Sequence, residues 1–209
     1  GADYCVVDGA LHGPGGAIAE VDSMKRSLPH DLTNALAAAA LVMETGLADA
    51  DAVESALASF VGPPHRLEHV GTWDGVAWYN DSKATTPHAA AAAIRSFERI
   101  VLIAGGYDKH VDLAPMAATP DRVEAVIALG ATAPAIVAAF DRVRRREVVG
   151  DMAGAVALAA QLAAPGSTVL LSPGCASFDR YQGFEQRGDH FRSLVRAAHE
   201  PQETSCPAL

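Results

Sequence analysis

Three short segments of this chain set chemically useful side chains among small residues. They are Trp78-Tyr79-Asn80-Asp81-Ser82-Lys83-Ala84-Thr85-Thr86-Pro87, Ile103-Ala104-Gly105-Gly106-Tyr107-Asp108-Lys109 and Leu171-Ser172-Pro173-Gly174-Cys175-Ala176-Ser177-Phe178-Asp179. Each leaves an apolar run and breaks into small or turn-forming residues, where backbone N–H groups let a ligand approach closely. The first ends in a helix start, with Thr86 as N-cap and Pro87 at the first helical position. A helix N-terminus carries unpaired N–H groups and partial positive charge, which suits an anion. Lys83 and Lys109 add cations, and Ser177 and Phe178 offer a hydroxyl and backbone donors to a carboxylate. Asp81 can orient a lysine, bind a ribose hydroxyl or hold a metal. The plainer readings are that Asp81 and Thr86 only cap and that Lys109 is a surface lysine. Three such loops on one sheet favour a site.

Other chemistries lack their residues. No Ser-His-Asp set occurs in a G-x-S-x-G context, which excludes a serine hydrolase of that type. Cys175 has no histidine with a claim to activate it and reads as a buried small residue. The eight histidines show no H-E-x-x-H spacing, so no zinc or other metal site is expected in this chain. No G-x-x-x-x-G-K-[ST] phosphate loop is present, and Gly13-Pro14-Gly15-Gly16 reads as a turn.

The elements that position these loops follow from the hydrophobic rhythm. Residues 1–28 alternate short apolar pieces with Gly and Pro, as in the last small strands of a sheet. Helices are expected over 30–46 and from Asp49 or Asp51 to Phe60, before the rigid break Val61-Gly62-Pro63-Pro64. Beyond it, strands at 67–72 and 76–80 flank Asp74-Gly75, a hairpin signal. Strand–helix alternation then runs through strands at 99–104, 123–129, 147–149 and 168–171 and helices at 87–97, 133–140, 152–163 and 189–199. The fold class is α/β: a Rossmann-like, mostly parallel sheet with helices on both faces, preceded by the tail of a second α/β domain. Right-handed crossovers put the carboxyl ends of the strands, and hence the three loops, on one edge. The domain boundary falls near residue 62, and 201–209 reads as a disordered tail.

Half of the residues are hydrophobic, ample for a core, and the net charge of −9 argues against a nucleic-acid partner. The basic run Arg142 to Arg146 reads as a solvated helix end. Cys5, Cys175 and Cys206 are odd in number and fit a reducing, cytoplasmic compartment. No apolar run is long enough for a membrane span and no signal peptide is evident. The start at Gly1-Ala2-Asp3 reads like the middle of a domain, so the chain is expected to be a fragment.

Asn80-Asp81-Ser82-Lys83-Ala84-Thr85, Ala104-Gly105-Gly106 with Lys109, and Leu171-Ser172-Pro173-x-Cys175-Ala176-Ser177-Phe178-Asp179 together resemble the Mur ligases. Pro64-His65-Arg66-Leu67-Glu68 looks like that family's entry to its C-terminal domain, and Phe184-Glu185-Gln186-Arg187-Gly188 continues the match. His30-Asp31-Leu32-Thr33-Asn34-Ala35-Leu36 is similar to the family's His-Asn-x-x-Asn-Ala segment at the end of its central domain. The Asp-Ser-Lys-Ala-Thr sequence points to the branch that adds D-glutamate.

This resemblance implies a ligase of cytoplasmic peptidoglycan synthesis, in which ATP activates the carboxylate of UDP-N-acetylmuramoyl-L-alanine as an acyl phosphate and D-glutamate attacks it. Thr85, Lys109, Ser177 and Phe178 would then hold the D-glutamate carboxylates, with Phe184 lining the pocket. Asn34, Arg66 and Asp81 would contact the nucleotide (ATP or ADP), and Lys83 would act beside the reacting groups. Residues 1–62 would close the central ATPase domain and 63–200 would form the C-terminal domain of a monomer. Asp31 stands where the family usually has Asn and puts a charge near the nucleotide contact. The phosphate loop, Mg²⁺ ligands, modified lysine and uridine-binding domain would lie upstream of residue 1, so the chain alone should not catalyse. A binding module without catalysis and a ligase for another amino acid are the alternatives.

Overall fold

The computed structural model describes residues 3–199, which form two compact units meeting at the Gly62–Pro63 bond. The expected tail over 201–209 and Cys206 lie outside the described residues.

In the first unit, β1 (Cys5–Val7), β2 (Ala10–Gly13) and β3 (Gly16–Glu20) form an antiparallel meander. Helices α1 (Pro29–Glu44) and α2 (Ala50–Ser59) complete it. Leu11, Ile18 and Ala19 from the strands pack with Ala35, Ala39 and Val53 from the helices. Leu28 cannot cap α1 with its side chain. Asp31 instead accepts a hydrogen bond from the Leu28 N–H (3.3 Å) and pairs with Arg26 at 3.1 Å and His30 at 3.2 Å. Burial works against ionisation of Asp31. The His30 hydrogen bond and charge, together with the Arg26 guanidinium, prevail and hold its carboxyl below the usual range. Asp49, not Asp51, caps α2 by accepting from the Ala52 N–H at 2.9 Å.

The second unit is a six-stranded sheet in the order β4-β5-β9-β6-β7-β8. Its strands are β4 (Glu68–Trp73), β5 (Val76–Asn80), β6 (Ile100–Ala104), β7 (Val123–Ala128), β8 (Arg145–Val148) and β9 (Thr168–Leu171). Only β4 runs antiparallel. It turns into β5 through Asp74 (φ 51°) and Gly75 (φ 75°), the two positive-φ residues of a type I′ hairpin. The later strands alternate with α3 (Pro87–Ile94), α4 (Ala133–Ala139), α5 (Met152–Leu162) and α6 (Phe184–His199).

One face of the sheet, carrying Trp78, Val101, Ile127 and Val169, packs against Met152 and Val156 of α5 and Phe191 and Val195 of α6. The alternate residues Leu102, Val126 and Leu170 point the other way and are equally buried, as period-two alternation requires of a sheet covered on both faces.

Two expectations need correction. The final helix starts at Phe184, not Asp189, despite Gly188 in its second turn. A Cβ at Gly188 would lie 2.2 Å from His65 Nδ1, so close packing explains a glycine inside a helix. The basic run is not a helix end: α4 stops at Ala139, and Arg145 and Arg146 lie in β8, the edge strand. Charged side chains there discourage pairing with another chain.

Candidate functional site

The site is confined to the second unit, at the carboxyl ends of β5, β9 and β6, which are neighbours in the sheet. The three loops are joined by backbone hydrogen bonds. Gly105 N donates to Pro173 O (2.9 Å), Tyr107 N to Ala176 O (2.8 Å), and Gly174 N to Ala84 O (2.9 Å). Gly105 (φ 112°) and Gly106 (φ 149°) lie in the region that L-residues avoid, and a Cβ on either would fall 2.2 Å from a neighbouring carbonyl oxygen. Thr132, after β7, brackets Gly106, accepting from its N–H (2.9 Å) and donating to its carbonyl (3.1 Å).

Asp81 is buried and faces inward. It accepts from the Leu67 N–H (3.2 Å) and from the Ser172 hydroxyl (2.8 Å). Lys83 N donates to His65 O at 3.0 Å. The turn that carries Arg66, exposed between His65 and Leu67, is thereby fastened to the Asp81–Lys83 segment. Asn34 lies on the exposed side of α1, in the first unit.

Lys83 Nζ sits 5.4 Å from the centroid of the Phe184 ring, a cation–π arrangement. Phe184 also meets His65 edge-on, with ring centroids 6.0 Å apart. Thr85 is half-buried, and Thr86 caps α3 by accepting from the Ala89 N–H at 3.4 Å. Lys109 is exposed on the β6 loop. Phe178 is 65% exposed beside Ser177, which is 2% exposed.

A division of labour emerges among the polar groups. Asn80, Asp81, Ser82 and Ser172 are engaged in internal bonds. The side chains of Thr85, Lys109 and Ser177, and the Ser177 N–H, form no hydrogen bond among the described residues. Cations and unspent donors on neighbouring loops are groups that can meet an anion.

Sequence reasoning missed the residue that holds this arrangement together. Arg187, in the first turn of α6, is buried and donates to Ser82 Oγ (3.0 Å), Ser82 O (2.8 Å), Cys175 O (3.1 Å) and Ala176 O (3.2 Å). Burial pulls its pKa down to about 10, so it remains charged at neutral pH. Its sequence signal is its place in the Phe184-Glu185-Gln186-Arg187-Gly188 segment, which carries the family resemblance but names no role for the arginine. Burial pushes the Cys175 thiol up, against the Thr132 hydrogen bond and the Arg187 charge, which leaves it protonated and unsuited to nucleophilic attack. Among the described residues no three His, Cys, Asp or Glu side chains cluster as metal ligands, and no helix is long and apolar enough to cross a membrane.

Residues 65–175, just over half of the chain, match the family described as "Mur ligase, glutamate ligase domain". A UDP-N-acetylmuramoylalanine–D-glutamate ligase of Symbiobacterium thermophilum is 50% identical over 176 residues, covering 80% of this chain and 38% of the relative. One from Novosphingobium aromaticivorans is 40% identical over 207 residues, covering 98% of this chain and 44% of the relative. The chain thus spans well under half the length of these curated relatives. Among solved structures, a pseudomurein peptide ligase type C from Methanothermus fervidus aligns with a TM-score of 0.64 at 14% identity, over 93% of this chain and 41% of that one. E. coli FolC with ADP aligns with a TM-score of 0.64 at 21% identity, over 95% and 47% of the two chains. At those identities the structures speak for the fold alone. The family match from His65 to Cys175, over more than half of the chain, leads to one conclusion: the chain belongs to the Mur ligase family.

Proposed function

We propose that this chain is the acceptor-binding part of an ATP-dependent ligase that joins D-glutamate to UDP-N-acetylmuramoyl-L-alanine in cytoplasmic peptidoglycan precursor synthesis. The carrying observation is the set of unspent donors and cations on three stitched loops, in a protein whose net charge is −9. A dicarboxylate needs such a surface, because an anion leaving water must recover its hydrogen bonds. Thr85, Lys109, the Ser177 hydroxyl and N–H and the Phe178 backbone meet the carboxylates, while Phe184 lines the pocket. Lys83, held over Phe184, stands beside the reacting groups as a cation for developing negative charge.

Residues 1–62 form the end of the ATP-handling central domain in this reading, and residues from 63 form the C-terminal domain of a monomer. Arg66 and Asn34 carry the nucleotide assignment by their motif match. Asp81 serves the nucleotide side from behind, since both its oxygens are engaged in holding Leu67 and Ser172. ATP supplies the phosphoryl group that activates the acyl acceptor. Its Mg²⁺ is assigned no residue of this chain, where no ligand cluster is found among the described residues.

The test is phosphate release from ATP by the full-length gene product with UDP-N-acetylmuramoyl-L-alanine and a panel of amino acids. D-glutamate should be the amino acid that drives release, and the 209-residue chain alone should release none. Lys109→Ala and Ser177→Ala should each raise the KM for D-glutamate about 10- to 100-fold. That range follows from roughly 1.5–3 kcal/mol for a hydrogen bond to a charged group. Release driven equally by another amino acid, or an unchanged KM in both variants, would overturn the reading.

A further inference from the structure

Arg187 is 3% exposed, and among the described residues no carboxylate forms an ion pair with it. The Asp179 and Asp81 charges lie near enough to favour the cation, but neither pairs with it directly. A buried cation without a paired carboxylate is costly, and one needed merely to tie loops could be replaced by neutral donors at less expense in desolvation. Its placement suggests more than a tie. The guanidinium grips the carbonyls of Ser82, Cys175 and Ala176, and the Ser82 hydroxyl relays the grip by donating to Phe184 O at 2.7 Å. Carbonyl and N–H point in opposite directions across a trans peptide. Holding the Ala176 carbonyl, which also accepts from the Tyr107 N–H at 2.8 Å, therefore aims the Ser177 N–H, which has no partner among the described residues, away from Arg187.

We infer that Arg187 is the positioning residue of the carboxylate pocket: it sets the aim of the Ser177 donors and the place of Lys83 and Phe184, and it lends the pocket a positive charge that the bound carboxylate answers. The planar fork matters, since one lysine ammonium cannot reach Ser82 and both loop carbonyls in the same geometry. This inference rests on the D-glutamate reading and refines it.

The experiment compares wild type, Arg187→Met and Arg187→Lys in the full-length protein, measuring kcat and the KM of each of the three substrates. Failure of wild-type protein to use D-glutamate would defeat the functional reading before Arg187 is reached. With that activity present, Arg187→Met should raise the KM for D-glutamate at least 10-fold and leave those for ATP and UDP-N-acetylmuramoyl-L-alanine within about 2-fold. Arg187→Lys, which keeps the charge but not the fork, should fall between. A merely structural role would lower kcat through loss of folded protein or move all three KM values together, and either pattern overturns the inference. So does an unchanged D-glutamate KM in a folded variant. If neither variant folds, Arg187 is a folding residue and the positioning role is rejected.

Discussion

Gly188→Ala tests whether close packing explains the glycine in α6. The new Cβ would lie 2.2 Å from His65 Nδ1 and 3.0 Å from both side-chain polar atoms of Asn80. His65 has little room to yield. It is 6% exposed, takes a 3.0 Å hydrogen bond from Asn80, and lies 3.8 Å from both Glu68 and Asp189. Overpacking a tight site costs about 1–3 kcal/mol, and losing a buried hydrogen bond adds about 1 kcal/mol. Replacing a mid-helix glycine returns about 1 kcal/mol. The net expectation is a loss of about 1–3 kcal/mol, or roughly 2–12 °C in melting temperature for a unit of this size. Both tryptophans of the chain, Trp73 and Trp78, belong to the second unit, so their fluorescence in urea follows that unit separately from the first. Gly154→Ala in α5 is the control. There the Cβ would meet only Asp151 Oδ1 at 3.3 Å and Val149 Cβ at 3.7 Å, so stability should hold or rise by up to about 1 kcal/mol. If both variants stabilise the unit alike, the steric account of Gly188 is wrong.

Asp31→Asn should weaken the first unit at neutral pH. The folded carboxyl titrates below its unfolded value of about 3.9. Its contribution is therefore present above that value and fades as pH falls through the folded pKa, so wild type and variant should converge in acid in a pH series of unfolding curves. Asn80→Ala should cost the second unit about 2–3 kcal/mol in urea unfolding. The amide donates to His65, Glu68 and Gly188 O, and its removal strands buried acceptors; a loss below about 0.5 kcal/mol would deny the network its role. Cys175, buried with its thiol pushed up, should resist alkylation at pH 8 until denaturant is added, as peptide mass spectrometry of each cysteine would reveal.

The loops were legible in the sequence because their signals are local. Small residues after an apolar run mark a strand end, and Asp74-Gly75 marks a hairpin by its backbone demands alone. What escaped depends on distant partners. The role of Asp81 stays open in the sequence because nothing near it reveals Ser172, 91 positions away, as the donor to it. Gly188 reads as a helix breaker until His65 is placed against it. Arg187 sits in a family-like segment ahead of the expected helix, and nothing local gives it a task until the loops it grips are folded around it. Arg145 and Arg146 follow a helix closely enough to be taken for its end, because a short charged edge strand has almost no apolar periodicity. The Asp31 charge sits beside Arg26, five residues earlier, a pairing outside the spacing of a single helix.

The place of β9 has a temporal consequence. It is the last of the described strands yet lies between β5 and β6, so the hairpin side of the sheet cannot join the β6–β8 side until residue 171 is available. Arg187 then has to arrive before the Ser82 and Cys175 loops are locked. During synthesis from the N-terminus, the site must therefore be among the last features of the second unit to form. Pairings of such long sequence separation also fold slowly, and before β9 inserts, the hairpin side and the β6–β8 side present unpaired edges that a chaperone or a stray strand can recognise.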